Sequence, residues 1–223
     1  MIPEIDEDRC THCGECARIC EFHALLCLED QILVFPELCK GCRGCAVLCP
    51  VGAVQDGKRM IGTRETRQQG NLTIHTGRLR VGDTASPALI RAVKEQGSTA
   101  TGVMLLDAPP GTACAAVEAV RDADLVILVA EPTPFGMHDF DLMVRIVRAL
   151  HRRFAVVINK AHRGDRSIQA YCTRERIEIL GEIPSSRSIA EACARCDRVA
   201  DALPATALLF ESVLRCALRE QEV

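Results

Sequence analysis

Nine of the fourteen cysteines fall within residues 1–49, and eight of those nine repeat one spacing. Cys10-x2-Cys13-x2-Cys16-x3-Cys20 recurs as Cys39-x2-Cys42-x2-Cys45-x3-Cys49, followed by Pro50. Thiolates are soft ligands for iron and zinc, and thiol pairs also close disulfides. Three cysteines at two-residue intervals let one loop wrap an iron–sulfur cubane corner by corner, with backbone amides turned toward its sulfides. Gly14, Gly41 and Gly44 permit that close approach without a Cβ clash. Zinc sites use paired Cys-x2-Cys knuckles separated by a spacer rather than four cysteines within eleven residues. A secreted disulfide scaffold needs an export signal, whereas this chain opens on the acidic Met-Ile-Pro-Glu-Ile-Asp-Glu-Asp. Iron–sulfur chemistry is the favoured reading, with a zinc-stabilised interaction module as the non-redox alternative.

On this pattern, residues 4–58 resemble the bacterial two-cluster ferredoxin module. In that family the fourth cysteine of each run ligates the other cluster. The resemblance implies two 4Fe-4S clusters, one held by Cys10, Cys13, Cys16 and Cys49, the other by Cys39, Cys42, Cys45 and Cys20. Glu21 departs from the family, which usually places proline after the fourth cysteine, and a carboxylate there bears on the local potential.

The other candidates carry less. Cys27, in Ala-Leu-Leu-Cys-Leu, reads as a packed thiol. Cys193-x2-Cys196 falls in a predicted helix, where i and i+3 share a face, and reads as a pair of buried thiols more readily than as a redox pair or shared metal site. Cys114, Cys172 and Cys216 read as core or surface thiols. The six histidines include no HxH or HExxH spacing, His138 reads as structural, and no G-x-S-x-G signature occurs.

The elements that must position these residues divide into two kinds of sequence. Residues 1–60 hold six basic and ten acidic side chains and few apolar runs, and form a small α+β domain in this reading. Residues 61–223 alternate short apolar strands with helices, the mark of an α/β fold with a mostly parallel, doubly wound sheet. Strands are expected at Val103–Asp107, Leu125–Ala130, Phe154–Ile158 and, more weakly, Ile177–Leu180. Helices are expected at Thr112–Asp122, Met137–Leu150, Ser188–Arg195 and Pro204–Leu218, with a further one opened by a capping Ser86 and Pro87. With 48% apolar and 26% charged residues, a packed core is within reach of the 223-residue chain. A net charge of −3, from 27 basic and 30 acidic side chains, gives no footprint for nucleic acid. No uncharged apolar run reaches the ~18 residues of a membrane span, so a cytoplasmic protein is expected.

Asp107, closing an apolar run and followed by Ala108-Pro109-Pro110-Gly111-Thr112, begins a second resemblance. It is similar to the Walker B and switch II segment of the MinD/Mrp superfamily of P-loop ATPases, relatives of the nitrogenase iron protein. Further phrases match, in family order, the branch with an inserted ferredoxin module. They are Phe35-Pro36-Glu37-Leu38-Cys39, Gly77-x-Leu79-x-Val81-Gly82, Ser86-Pro87-x-Leu89-Ile90-x-Ala92-Val93-Lys94, Glu131-Pro132-Thr133-Pro134-Phe135-Gly136 and Val157-Ile158-Asn159-Lys160. The resemblance implies that Asp107 holds Mg²⁺ through water, that the backbone at Gly111 senses a γ-phosphate and that Asn159 contacts adenine. The G-x-x-x-x-G-K-[ST] loop that cradles the phosphates is absent, and Ile183-Pro184 is followed by Ser185-Ser186 where the family often carries an acid.

The chain therefore reads as an incomplete, P-loop NTPase-like α/β scaffold behind a ferredoxin module, lacking the N-terminal P-loop segment. The expectation is an iron–sulfur protein that passes single electrons to a redox partner protein, with no catalytic residues and no ATP hydrolysis on its own. The second reading is an ATP-dependent redox or cluster-delivery switch whose P-loop comes from an upstream fragment or partner chain and which then binds MgATP. Residues 61–223 are expected to be marginal alone, or to associate with that fragment or a second copy, because removing a central strand bares sheet edges.

Overall fold

The computed structural model describes residues 2–98, 102–162 and 164–219. The chain forms two compact units, Met1–Leu105 and Leu106–Val223.

The first unit opens with β1 (Ile2–Ile5), α1 (Glu15–Arg18), β2 (Leu25–Cys27), β3 (Ile32–Val34), α2 (Gly44–Val47) and β4 (Val54–Gly57). β1 pairs antiparallel with β4, from Ile2 opposite Gly57 to Ile5 opposite Val54. β2 pairs antiparallel with β3, Leu25 opposite Val34 and Cys27 opposite Ile32. The strand before the first cysteine run is thus bound to the strand after the second. The strands between the runs bind each other. Cys16, Leu25, Ile32 and Val54 form a buried cluster, against which Ile5, Ala17, Val34, Ala46 and five more cysteines pack. So few aliphatic groups make a thin core.

Two longer strands follow, β5 (Gly62–Gln69) and β6 (Leu72–Leu79), paired antiparallel across their full length. Gly70 closes the hairpin in the left-handed region at φ 59°, where glycine costs least. α3 (Ser86–Gly97) packs on β6, with Leu89 and Val93 over the backbone of Gly77. Its N-cap is Ala85 rather than Ser86, which falls inside the first turn beside Pro87. Among the described residues no side chain caps the helix; Asp83, two residues before Ala85, holds that N-cap residue, its Oδ1 accepting the Ala85 N–H at 2.9 Å. That carboxylate also takes a two-pronged ion pair from Arg59. Burial pushes the Asp83 carboxyl up, but Arg59 and the Ala85 and Thr84 amides outweigh it and hold it below its ordinary value.

The second unit contains α4 (Cys114–Val120), β7 (Leu125–Ala130), α5 (Pro134–Ala149), β8 (Arg153–Ala161), α6 (Ser167–Glu175), β9 (Ile179–Pro184), α7 (Arg187–Ala194), α8 (Val199–Ala202) and α9 (Pro204–Arg219). Its sheet is parallel in the order β7-β8-β9, with Val126 opposite Phe154, Leu128 opposite Val156 and Ala130 opposite Ile158. Those side chains meet Phe140, Val144 and Val147 of α5 and Ile168, Tyr171 and Cys172 of α6 in the main core. Thr133 caps α5, its Oγ1 accepting the Gly136 N–H at 3.0 Å, and Pro134 takes the first turn. α9 packs on β9 so closely that a Cβ at Gly181 would overlap the Leu209 side chain. Gly181 lies opposite Val157, on the other sheet face from Val156 and Ile158. Helices thus cover both faces, as a doubly wound α/β sheet requires.

The expected strand at Val103–Asp107 does not form; residues 103–109 adopt no regular element. Val103, Met104, Leu105 and Leu106 are exposed, Leu105 at 81%. A strand exists only by pairing, and β7, β8 and β9 pair with one another and leave this run without a ladder. Among the described residues, no helix is long and apolar enough to cross a membrane.

Candidate metal centres

The two cysteine runs adopt the same backbone path. His12 and Gly14 lie in the left-handed region in the first loop, Gly41 and Arg43 at the equivalent positions of the second, at φ between 53° and 74°. His23 and Gly52 repeat the match three residues after Cys20 and Cys49. Alternating left-handed residues turn successive amides toward the inside of the loop, an arrangement that favours negative charge there. α1 then carries Cys16 into the interior, and α2 leaves Cys45 half-buried.

Hydrogen bonds carry the last cysteine of each run across to the other run. The Asp6 N–H donates to Ala53 O at 2.8 Å and Arg9 Nη2 to Val51 O at 3.2 Å, which draws residues 49–53 onto the segment leading into Cys10. The Phe35 N–H donates to Ala24 O at 2.8 Å, which ties the stretch after Cys20 to the approach to Cys39. Two cavities result. One is ringed by Cys10, Cys13, Cys16 and Cys49, the other by Cys39, Cys42, Cys45 and Cys20. The second has a volume of about 90 Å³. Apolar walls surround both, Ile5, Ile32 and Val54 at the first, Ile2, Ile19 and Leu25 at the second.

Backbone amides address three of the sulfurs. The Ala24 N–H donates to Cys20 Sγ at 3.3 Å and the Ala53 N–H to Cys49 Sγ at 3.2 Å, again equivalent positions, while the Gly41 N–H reaches Cys39 Sγ at 3.4 Å. Burial alone would raise the Cys49 thiol, but the amides of Ala53, Val51, Val54 and Gly52 outweigh it and hold it below its ordinary value. Cys16 and Cys45 are raised, first by burial and then by neighbouring cysteines, Cys45 and Cys10 around the former, Cys39 and Cys42 around the latter. Buried sulfur that resists ionisation alone becomes thiolate when a metal supplies the compensating charge. Among the described residues, no three His, Cys, Asp or Glu side chains converge tightly enough to hold a single metal ion; each quartet instead rings a space. Four thiols around an apolar-walled space, with amides directed at their sulfurs, are a donor set that fits a 4Fe-4S cluster.

The rims differ. Glu21 lines one cavity where Pro50, its equivalent, lines the other. Lys40 and Arg43 share the rim with Glu21, and Arg43 pairs with Asp56. Cys27 packs beside the first run, its thiol directed at His12 O and Leu28 O, both at 3.4 Å.

The three residues matched to nucleotide contacts are not drawn into one site of described contacts. Asp107 is exposed in the irregular stretch, Gly111 is left-handed at φ 86°, and Asn159 near the end of β8 donates to Glu131 Oε1 at 3.4 Å. Lys160 joins Glu131 at 3.0 Å, a contact the sequence reading did not single out. Cys193 and Cys196 are both exposed, against the expectation of buried thiols; α7 ends at Ala194, so only Cys193 is helical. Cys114 is exposed and Cys172 buried, while the side chain of Cys216 lies outside the described residues.

Comparison with known proteins agrees with the N-terminal geometry. Residues 2–25 and, separately, residues 32–55 match families described as 4Fe-4S binding domain. An uncharacterized protein of Methanocaldococcus jannaschii is 27% identical over 160 residues, 71% of this chain and 57% of that protein. Hydrogenase-4 component A of Escherichia coli is 32% identical over 112 residues, 47% of this chain and 53% of that one. The chain thus spans little more than half the length of either relative. The MinD cell division protein of Aquifex aeolicus matches in structure with a TM-score of 0.49 at 20% identity, over 59% of this chain and 60% of that one. The two N-terminal matches, each spanning one complete cysteine run, identify residues 2–25 and 32–55 as a pair of 4Fe-4S binding domains, so the chain binds two 4Fe-4S clusters.

Proposed function

We propose that the chain is an electron carrier whose two clusters are ligated crosswise, one by Cys10, Cys13, Cys16 and Cys49 and the other by Cys39, Cys42, Cys45 and Cys20. The observation that carries this reading is the lining of the two cavities, each taking three thiols from one run and the last thiol of the other. When bound, a 4Fe-4S cluster supplies a one-electron couple whose potential is set by its surroundings. The chain's own residues provide those surroundings. The Ala24, Gly41 and Ala53 amides stabilise negative charge on sulfur and so favour the reduced state. Ile5, Ile32, Leu25 and Val54 limit water around the sulfurs. Glu21 puts a carboxylate on the second rim where Pro50 stands on the first, and its charge opposes an added electron while that of Lys40 on the same rim favours it.

Hydrogenase-4 component A is named as part of a larger assembly, which supports a redox partner protein for this chain too. Reduced thiols in this number suit the cytoplasm. The contacts assigned by resemblance, Asp107, Gly111 and Asn159, belong to the reading in which MgATP gates transfer once a P-loop is supplied. Asn159 supports it by standing near the carboxyl end of β8, the end where open α/β sheets take ligands.

Anaerobic purification followed by iron, acid-labile sulfide and redox titration tests the proposal. The expected result is about eight iron and eight sulfide per chain and two one-electron steps, which two cubane clusters require. Zinc in place of iron, or colourless protein, would overturn it. Titration of the same preparation with MgATP tests the gating reading, which binding supports and its lack removes for this chain alone.

A further inference from the structure

Three helices of the second unit end in the same way. Past α5, the His151 N–H donates to Arg148 O at 2.9 Å and the Arg152 N–H to Val147 O at 3.1 Å. Past α6, Arg176 bonds Thr173 at 3.3 Å and Ile177 bonds Cys172 at 2.8 Å. Past α7, Cys196 bonds Cys193 at 3.1 Å and Asp197 bonds Ala192 at 2.9 Å. Each is a Schellman motif, with the residue after the cap in the left-handed region at φ 54°, 55° and 60°. The left-handed residue alone does not set α7 apart, since none of the three is glycine. What differs is chemistry. The two residues joined by the inner hydrogen bond are arginine and histidine at α5 and threonine and arginine at α6, but at α7 both are cysteine.

From this geometry we propose that Cys193 and Cys196 form a reversible disulfide, a two-electron dithiol couple separate from the cluster sites. An N–H···O bond between residues three apart keeps their Cα atoms within about 7 Å, and a disulfide needs about 4.4–6.8 Å. The turn that brings the pair together is already hydrogen-bonded, so closure asks little of the backbone. Both thiols are exposed, so an incoming reagent can reach them. Arg195, between them, is held by Asp197 at 2.8 Å, and Arg198 by Asp201 at 2.8 Å. These ion pairs brace the segment without covering the sulfurs.

The oxidant is a second disulfide, that of a small thiol or of a dithiol–disulfide protein. One cysteine thiolate attacks it, forming a mixed disulfide and releasing the first thiol. The other cysteine then attacks the mixed disulfide, forming the Cys193–Cys196 bond and releasing the second thiol. Two electrons pass to the oxidant's sulfurs, and the two protons lost by the cysteines end on the released thiols. Because the ring closes so short a loop, the bond constrains the unfolded chain little, and its role is redox rather than structural reinforcement.

The sequence makes the test direct, because trypsin cuts after Arg187, Arg195 and Arg198 and separates the two cysteines into Ser188–Arg195 and Cys196–Arg198. The cluster-loaded chain is equilibrated anaerobically in glutathione and glutathione disulfide at stepped ratios, quenched, alkylated and digested without reduction. The expected result is that the two peptides travel as one species, two hydrogens lighter than their sum, that separates on reduction. The fraction joined should follow the glutathione ratio as a single two-electron couple. Cys196→Ser should leave Cys193 as a mixed disulfide with glutathione, the first step arrested. The proposal is overturned if the wild-type peptides are recovered separately even in excess glutathione disulfide, if either cysteine is joined to a different one, or if Cys193 in the variant stays free.

Discussion

Cys20 ends the first run but lines the cavity of the second, beside Cys39, Cys42 and Cys45, and Cys49 does the converse. Iron analysis of paired variants discriminates this crossing from simple sequential ligation. If Cys20 and Cys42 serve one cluster, Cys20→Ser with Cys42→Ser keeps about half the iron, whereas Cys20→Ser with Cys13→Ser loses nearly all of it. Sequential ligation gives the reverse. The cysteine spacing made these residues legible because a ligand set is written in residue type and interval. The Glu131–Lys160 contact was not, since those residues meet only when β7 and β8 align. A second residue-scale prediction concerns Tyr171, the chain's one tyrosine. Burial and the hydroxyl's 2.8 Å hydrogen bond to Asp141 push it up to about 12. Its folded value exceeds its unfolded one, so its stabilisation is intact below about pH 10 and is lost as pH rises from 10 through about 12. Ultraviolet titration should show phenolate appearing near 12, and Asp141→Asn should lower that midpoint. A midpoint near 10 in the folded protein would remove the argument.

β8 is covered on both faces, with Ala155, Val156, Val157 and Ile158 all buried, while residues 103–106 have comparable apolar content and no ladder. Periodicity alone could not separate the two, because a short apolar run records a wish for burial and not the presence of a neighbour. The same limit hid the β5–β6 hairpin, whose outward residues are polar and whose pairing is set by the turn at Gly70. It also hid α6, a short helix with a weak apolar stripe. The proline entry of α9 at Pro204 was legible, whereas α5 begins at Pro134, three residues ahead of the expected Met137. Hydrogen exchange tests the contrast at this scale. Amides of residues 103–106 should exchange with almost no protection, while those of Val156–Ile158 should be among the slowest in the second unit. Equal protection in the two segments would mean that residues 103–106 have found a ladder in solution.

The two units hold themselves together by different means. Among the described residues, the main core cluster of the second holds twelve buried residues from α4, β7, α5, β8 and α6, whereas the cluster in the cluster-binding part of the first holds four, one of them Cys16. Metal must supply what that small core lacks. Stripping iron and sulfide anaerobically should therefore abolish the calorimetric transition of the cluster-binding part and leave that of residues 106–223 within a few degrees. Loss of both transitions together would contradict this division. The crossed lining of the cavities also imposes an order on synthesis. As the chain leaves the ribosome, Cys10, Cys13 and Cys16 emerge first, yet their fourth partner is the last of the eight to appear. Cys20 waits for residues 39–45, and with Cys45 that later-begun set is complete, four residues ahead of the earlier one. The site started first is finished last, so a nascent chain interrupted before Cys49 carries one complete set of thiols and one open set of three.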